Sequence, residues 1–328
     1  MRAMLLEKPG FPLQLVDREK PTPAAREILV GVSTCGVCRT DLHVRDGELE
    51  QTEYPIVPGH QVVGIIEALG ADVTGFEIGE RVGVPWLGFS CGRCDDCRME
   101  RENLCPDARY TGCQIDGGFA EYCVADHRYC LRLPARYSDL HIAPLLCAGL
   151  IGYRAWRMCE AAAHVGFMGF GASAHILTQV ARSQGTSIYA FTRGGDLRAQ
   201  QFALALGAVW AGSSEQSPDR QLDAVIIFAP AGELVPRALA LVRPGGKVIC
   251  AGIHMSDIPS FAYGLLWQER SIRSVANLTR SDGIEFLSLA EDVAIETEVH
   301  AYPLEQANQA LEDLERGNFT GAAVVQVA

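Results

Sequence analysis

Gly169-Phe170-Gly171-Ala172-Ser173-Ala174 lies between an apolar run, residues 163–170, and a stretch, 173–184, in which Ile176, Leu177, Val180 and Ala181 recur at helical spacing. Strand, glycine turn and helix in that order make a phosphate site. The first glycine permits a tight turn, and the second lets backbone approach a pyrophosphate held at the helix N-terminus. The third position of the pattern is Ala174, which the fingerprint allows. Working outward, 187–191 reads as a strand, 197–206 as a helix ending at Gly207, and 222–228 as a strand. A helix over 233–242 and a strand over 247–251 follow. This alternation predicts parallel βαβ units, an α/β doubly wound sheet covered on both faces.

The second strand of such a site ordinarily ends in a carboxylate that binds the adenosine ribose. Here the place is taken by Ala190-Phe191-Thr192-Arg193, with no acid. A small hydroxyl followed by a guanidinium suits a 2′-phosphate, so NADP(H) is expected to be preferred over NAD(H). The plainer alternative is a solvated Arg193 and slight selectivity.

Ahead of this region, short β-rich segments and frequent glycines predict a compact, irregular, mainly β domain up to about residue 133, without a long helical pattern. After residue 277 there is one amphipathic helical stretch, 304–314, and a strand, 322–327, too little for an independent domain. The expected division is therefore 1–149 with 277–328, flanking 150–276.

Within the β-rich part stand Cys91, Cys94, Cys97 and Cys105. Four sulfurs at these spacings can converge on one ion as a closed thiolate site, which points to structural zinc in a lobe spanning 88–108. An iron–sulfur cluster and four unrelated thiols are the alternatives. The surrounding residues, Arg93, Asp95, Asp96, Arg98, Glu100, Arg101 and Glu102, are too polar for buried thiols. Metal would hold together a lobe with too few apolar residues to fold by burial.

A second constellation is Gly36-Val37-Cys38-Arg39-Thr40-Asp41-Leu42-His43 with Pro58-Gly59-His60. An open tetrahedral zinc takes three protein ligands from Cys, His and carboxylate. Cys38 and His60 are expected to be two of them, with the third far downstream. Cys35 and Cys38 also form a C-x-x-C pair, for which a redox dithiol is the competing reading. Cys113, Cys123, Cys130, Cys159 and Cys250 read as inert thiols, and His164, His175 and His254 receive no role.

These stretches, with Gly117-Gly118-Phe119-Ala120-Glu121-Tyr122, Leu146-Cys147-Ala148-Gly149 and Arg243-Pro244-Gly245-Gly246, resemble the zinc-dependent medium-chain alcohol dehydrogenases from end to end. The resemblance implies a mainly β, GroES-like catalytic domain in two sequence segments and a Rossmann cofactor domain. It implies a catalytic zinc on Cys38, His60 and Cys147, with Asp41 orienting His60 and Gln61 adjoining. Thr40 would accept the alcohol proton and pass it towards His43, and Arg39 would neutralise the cofactor pyrophosphate. Gly169, Gly171, Ala172, Ser173, Ala174, Thr192 and Arg193 would hold the cofactor. Trp86 and Leu87 would line the substrate pocket. The implied reaction is reversible hydride transfer between a zinc-held primary or secondary alcohol, or the aldehyde or ketone, and NAD(P), with two zinc ions per subunit. The family usually carries glutamate after the ligand histidine. Gln61 keeps the shape and loses the charge, so ligand exchange is where a difference is expected. A polyol dehydrogenase of the same superfamily and a catalytically silent zinc- and nucleotide-binding homologue are the other readings.

Bulk properties narrow the partners. With 48% hydrophobic and 21% charged residues the chain reads as globular, and its formal charge of −12 without a basic run argues against nucleic acid. No apolar stretch reaches a membrane span. The start, Met1-Arg2-Ala3-Met4-Leu5-Leu6-Glu7-Lys8, lacks the longer apolar core of a secretory signal. A cytoplasmic enzyme of small alcohols and aldehydes, assembled as a homodimer or homotetramer, is the expectation.

Overall fold

The computed structural model describes residues 1–328 and divides into two compact units. One comprises Met1–Leu150 with Asn277–Ala328, the other Ile151–Ala276.

The second unit is built on a six-stranded sheet in which every pairing is parallel. Its spatial order is Trp210–Ser213, Ser187–Thr192, His164–Met168, Leu222–Ile227, Val242–Cys250, Ser271–Ser274. The strand before the glycine turn thus sits between its second and fourth neighbours, where the strand order reverses and such sheets bind ligands. Val165, Phe167, Ile188, Ala190, Ala224 and Ile226 are all fully buried, because helices cover both faces. The two edge strands, Trp210–Ser213 and Ser271–Ser274, carry no sequence signal: Trp-Ala-Gly-Ser and Ser-Ile-Arg-Ser have neither alternation nor an apolar run. An edge strand has one neighbour, so burial imposes little on its composition.

The first unit centres on a seven-stranded sheet ordered Val299–Pro303, Ala322–Gln326, Glu27–Val37, Val62–Leu69, Arg81–Val84, Leu131–Arg132, with Tyr122–Asp126 also pairing Glu27–Val37. The long Glu27–Val37 strand delivers the chain to Cys38. The last strand pairs antiparallel with its end, Ala323 opposite Val37 and Val324 opposite Gly36. Ile28, Val30, Val62, Val82, Phe119 and Val325 form the core below it.

Besides the single turns Asp95–Arg98 and Asp139–Ile142, two longer helices depart from the mainly β expectation. Arg39–Asp46 is a short helix inside the opening motif, and Arg280–Asp292 precedes the one helix foreseen near the C-terminus. The latter begins with a capping box, Thr279 Oγ1 accepting from the Asp282 N–H at 3.2 Å while Asp282 accepts from the Thr279 N–H at 2.8 Å. Gly283 lowers its intrinsic propensity, and tertiary packing overrides this: a Cβ there would stand 3.0 Å from Leu131. The foreseen amphipathic stretch splits into a 3₁₀ turn, Leu304–Gln306, and an α-helix, Ala307–Arg316. No helix is long and apolar enough to cross a membrane.

Candidate metal centres and the nucleotide-binding turn

Cys38 is the N-cap of the Arg39–Asp46 helix, with extended backbone (φ −139°, ψ 179°). Its sulfur accepts the Thr40 N–H at 3.3 Å, and its own N–H donates to Asp41 Oδ2 at 2.9 Å. This is a capping box with sulfur in place of the usual hydroxyl. The cap fixes the Asp41 carboxylate, whose other oxygen faces His60 Nδ1 at 3.1 Å and accepts the Gly59 N–H at 3.3 Å. Asp41 and His60 are each 1% exposed. With Nδ1 held by Asp41, the imidazole directs Nε2 at the sulfur of Cys38, 3.2 Å away. Cys147 completes the group, its sulfur 3.8 Å from that of Cys38.

The separation excludes a disulfide, which requires roughly 2.05 Å. It agrees with two sulfurs sharing one tetrahedral zinc, since Zn–S bonds of ~2.3 Å place them ~3.8 Å apart. The three donor atoms lie within 4.8 Å of one another. Two thiols and one imidazole are a zinc donor set that leaves a fourth position for water or substrate. In the free chain the hydrogen bond from Cys147 holds the Cys38 thiol well below its ordinary range, against burial and with help from His60, and the same bond pushes Cys147 up. Burial opposes charge on His60, yet the Asp41 carboxylate and the Cys38 sulfur raise it to about 10. Metal binding must therefore release protons.

Gly59 is required beside the ligand. Its φ is +97°, and a Cβ would fall 2.6 Å from Phe119 and 2.8 Å from the Cys35 sulfur. Gln61 is 2% exposed and packs against Gly36, where a Cβ would meet its Oε1 at 2.7 Å; its Nε2 has no hydrogen-bond partner. Cys35 is fully buried, and burial raises its thiol well above the usual range, unlike the thiolate of a redox pair. Trp86 stands edge-on to His60, ring centroids 5.0 Å apart, and stacks on Tyr110, also at 5.0 Å with an 11° interplanar angle. Tyr110 carries no signal in the sequence. Leu87, expected beside Trp86 in the pocket wall, is fully buried and offers no surface to a ligand; its strand pairs with Tyr110. On the opening helix Arg39 is exposed, Thr40 is half-buried, and His43 bonds through Nδ1 to the carboxylate of Glu48.

The four lobe cysteines also lie within 4.8 Å of one another, and Cys91 and Cys97 sulfurs are 4.0 Å apart. Backbone N–H groups of Arg93 and Cys94 donate to Cys91, and those of Cys97 and Cys91 to Cys94 and Cys105. The two donors on Cys91 bring its thiol down to about 6, whereas burial pushes Cys105 up to about 12. Closure by four sulfurs suits a structural ion, not a catalytic one.

In the second unit the His164–Met168 strand runs into Gly169 (φ +90°), where a Cβ would stand 2.9 Å from the Ala229 nitrogen. Gly171 caps the Ala172–Ser183 helix, and a Cβ added to it would meet nothing within 4 Å. The helix N-terminus is thus open to a phosphate. Ala174 is fully buried, which explains the small residue in the third position. Ala172 and Ser173 form the first turn. Thr192 ends the second strand, but the residue is only 5% exposed and its hydroxyl is internally committed, donating to the Arg193 carbonyl at 3.1 Å and accepting from Gln200 Nε2 at 3.1 Å. Arg193 is exposed, followed by Gly194 and Gly195.

Residues 24–135 match the alcohol dehydrogenase GroES-like domain. The probable alcohol dehydrogenase AdhA of Mycobacterium tuberculosis (strain CDC 1551 / Oshkosh) is 47% identical over 100% of this chain and 97% of its own. An alcohol dehydrogenase of Geobacillus stearothermophilus is 32% identical, covering 100% of both. The crystal structure of the alcohol dehydrogenase from Aeropyrum pernix superposes with a TM-score of 0.88 at 27% identity, over 100% of each chain. The chain belongs to the zinc-type medium-chain alcohol dehydrogenase family. It is an oxidoreductase of the alcohol dehydrogenase type.

Proposed function

We propose that the chain catalyses reversible hydride transfer between a small to medium, largely apolar alcohol and NADP(H), using Cys38, His60 and Cys147 to hold a catalytic zinc. The observation that carries this is the convergence of those three donors, with Asp41 behind His60 and one tetrahedral position left over. Zinc there supplies Lewis acidity, lowering the pKa of a bound hydroxyl or polarising a carbonyl. The protein residues do the rest. Asp41 keeps Nε2 of His60 aimed at the metal, Thr40 takes the alcohol proton, and His43 delivers it towards solvent. Arg39 offsets pyrophosphate charge, and the Gly169–Ala174 turn cradles it. Trp86 forms the apolar wall. A sulfur third ligand and an indole beside the site favour simple alcohols over polyols.

The preference for NADP(H) rests on exposed Arg193 and on the absence of an acid at the strand end; Thr192, turned inward, adds space and not a bond. A second zinc in the four-cysteine lobe, a homodimer or homotetramer, and a cytoplasmic location complete the reading. The Ser271–Ser274 edge strand lies close in sequence to exposed Tyr263 and Trp267, an apolar pair suited to a second copy. The test is a panel of aliphatic and aromatic alcohols and aldehydes with both cofactors, for the wild type and Cys38→Ser. Turnover with a higher kcat/KM for NADP(H), abolished in a folded Cys38→Ser protein, is expected. Retained activity in that variant would remove the catalytic-zinc assignment, and a clear NAD(H) preference the cofactor assignment.

A further inference from the structure

The helix Arg39–Asp46 ends in a way that serves His43. Gly47 adopts the left-handed conformation (φ 77°) and its N–H turns back to the carbonyls of His43 and Val44. The Glu48 N–H then donates to the His43 carbonyl at 2.9 Å. This cap folds residue 48 back over the last turn, and its carboxylate meets Nδ1 of His43. The position admits only glycine at 47: besides the positive φ, a Cβ would lie 2.6 Å from Pro9. The His43 side chain is 16% exposed and Glu48 is 52% exposed, so the imidazole is largely covered while the carboxylate that holds it stays in contact with solvent.

A ring nitrogen facing a carboxylate carries a proton, which makes Nδ1 the donor and leaves Nε2 as the nitrogen that can exchange one. We propose that Glu48 is a positioning residue for proton transfer: it fixes the tautomer and rotation of His43 so that Nε2 is the atom that accepts and releases the proton. The inference rests on the reading of His43 as the proton outlet. It assigns a role to a residue outside the metal ligands, made possible by a helix cap and not by a sequence motif. The chemistry balances without another reactant. A proton arriving at Nε2 gives the imidazolium, Nδ1–H stays on Glu48, and the Nε2 proton leaves to water.

The role separates from a structural one. The partner behind a metal-held histidine is worth about 10–100-fold; His43 holds no metal and Glu48 is half exposed, so the low end of that range sets the scale. Glu48→Ala should therefore lower kcat about 10-fold, with KM and zinc content little changed. Glu48→Gln should recover most of the loss, because its amide oxygen accepts the same N–H. Long-range ¹H–¹⁵N spectra of the zinc-loaded protein should show His43 as the Nδ1–H tautomer in the wild type and in Glu48→Gln, and as a mixture in Glu48→Ala. In a His43→Ala background, Glu48→Ala should have no further effect. An unchanged tautomer in Glu48→Ala, or failure of Glu48→Gln to recover activity, overturns the proposal. Unchanged kcat in His43→Ala overturns the underlying outlet assignment instead, whatever Glu48 does.

Discussion

Asp41→Asn is the sharpest probe of how the metal site is built. The carboxylate accepts three hydrogen bonds: Oδ1 from His60 Nδ1 at 3.1 Å and from the Gly59 N–H at 3.3 Å, and Oδ2 from the Cys38 N–H at 2.9 Å. An asparagine has one acceptor oxygen. If it faces His60, its NH₂ meets the Cys38 N–H, and two donors oppose each other at the helix cap. If it faces Cys38, the NH₂ opposes His60 and Gly59. At 1% exposure no water can repair either arrangement. One unsatisfied buried donor costs about 1–3 kcal/mol, so a loss of that order in unfolding free energy is expected. Loss of the partner behind a ligating histidine weakens metal binding 10–100-fold as an order of magnitude. Chelator competition monitored by released zinc, with urea unfolding of the metal-loaded protein, measures both. A variant whose catalytic-site zinc affinity stays within about twofold of wild type would refute the reasoning that Asp41 orients His60.

Three further outcomes follow from other parts of the structure. Gly59→Ala should destabilise the first unit by about 2 kcal/mol or more, since positive φ and a contact at 2.6 Å with the Phe119 ring combine, and urea midpoints at constant slope will report it. Cys91→Ser removes a thiol that two backbone N–H donors bring down to about 6, so zinc content by atomic emission should fall by one ion per chain, with a lower Tm. Burial would raise the Asp223 carboxyl, but the bond from Arg243 and the N–H groups of His164 and Ala163 outweigh it and hold the carboxyl below its usual range. Its stabilising contribution is thus complete above about pH 4 and disappears as pH falls through the lowered value. Urea midpoints measured down through this range should decline less steeply in Asp223→Asn than in wild type.

The doubly wound sheet was legible because its strands are buried on both faces and alternate with helices of regular spacing, as at 163–191. Cys38 and His60 were legible as candidate donors by residue type, and the lobe cysteines by their spacing. Glu48 was not. Nothing in Asp46-Gly47-Glu48 distinguishes a helix cap that returns a carboxylate to His43 from a solvent-exposed turn. Thr192 was misjudged in one respect: its hydroxyl points to internal partners, a matter of strand register and rotamer. Leu87 follows Trp86 in sequence but is fully buried, because the strand Leu87–Phe89 begins with it and Trp86 lies in the bend before that strand.

Sequence alone determined the periodicities, the glycines and the chemical identity of the donors, all of which depend on residues near one another along the chain. Tertiary structure decided which distant groups meet. Cys147 stands 109 positions from Cys38, yet their sulfurs are 3.8 Å apart. The approach is set by the docking of strands and helices around a shared core, whose free energy is spread over many side chains and leaves no local mark at either cysteine. The same packing puts Trp86 against His60 and seals Asp41 behind it, turning a list of possible ligands into an oriented site.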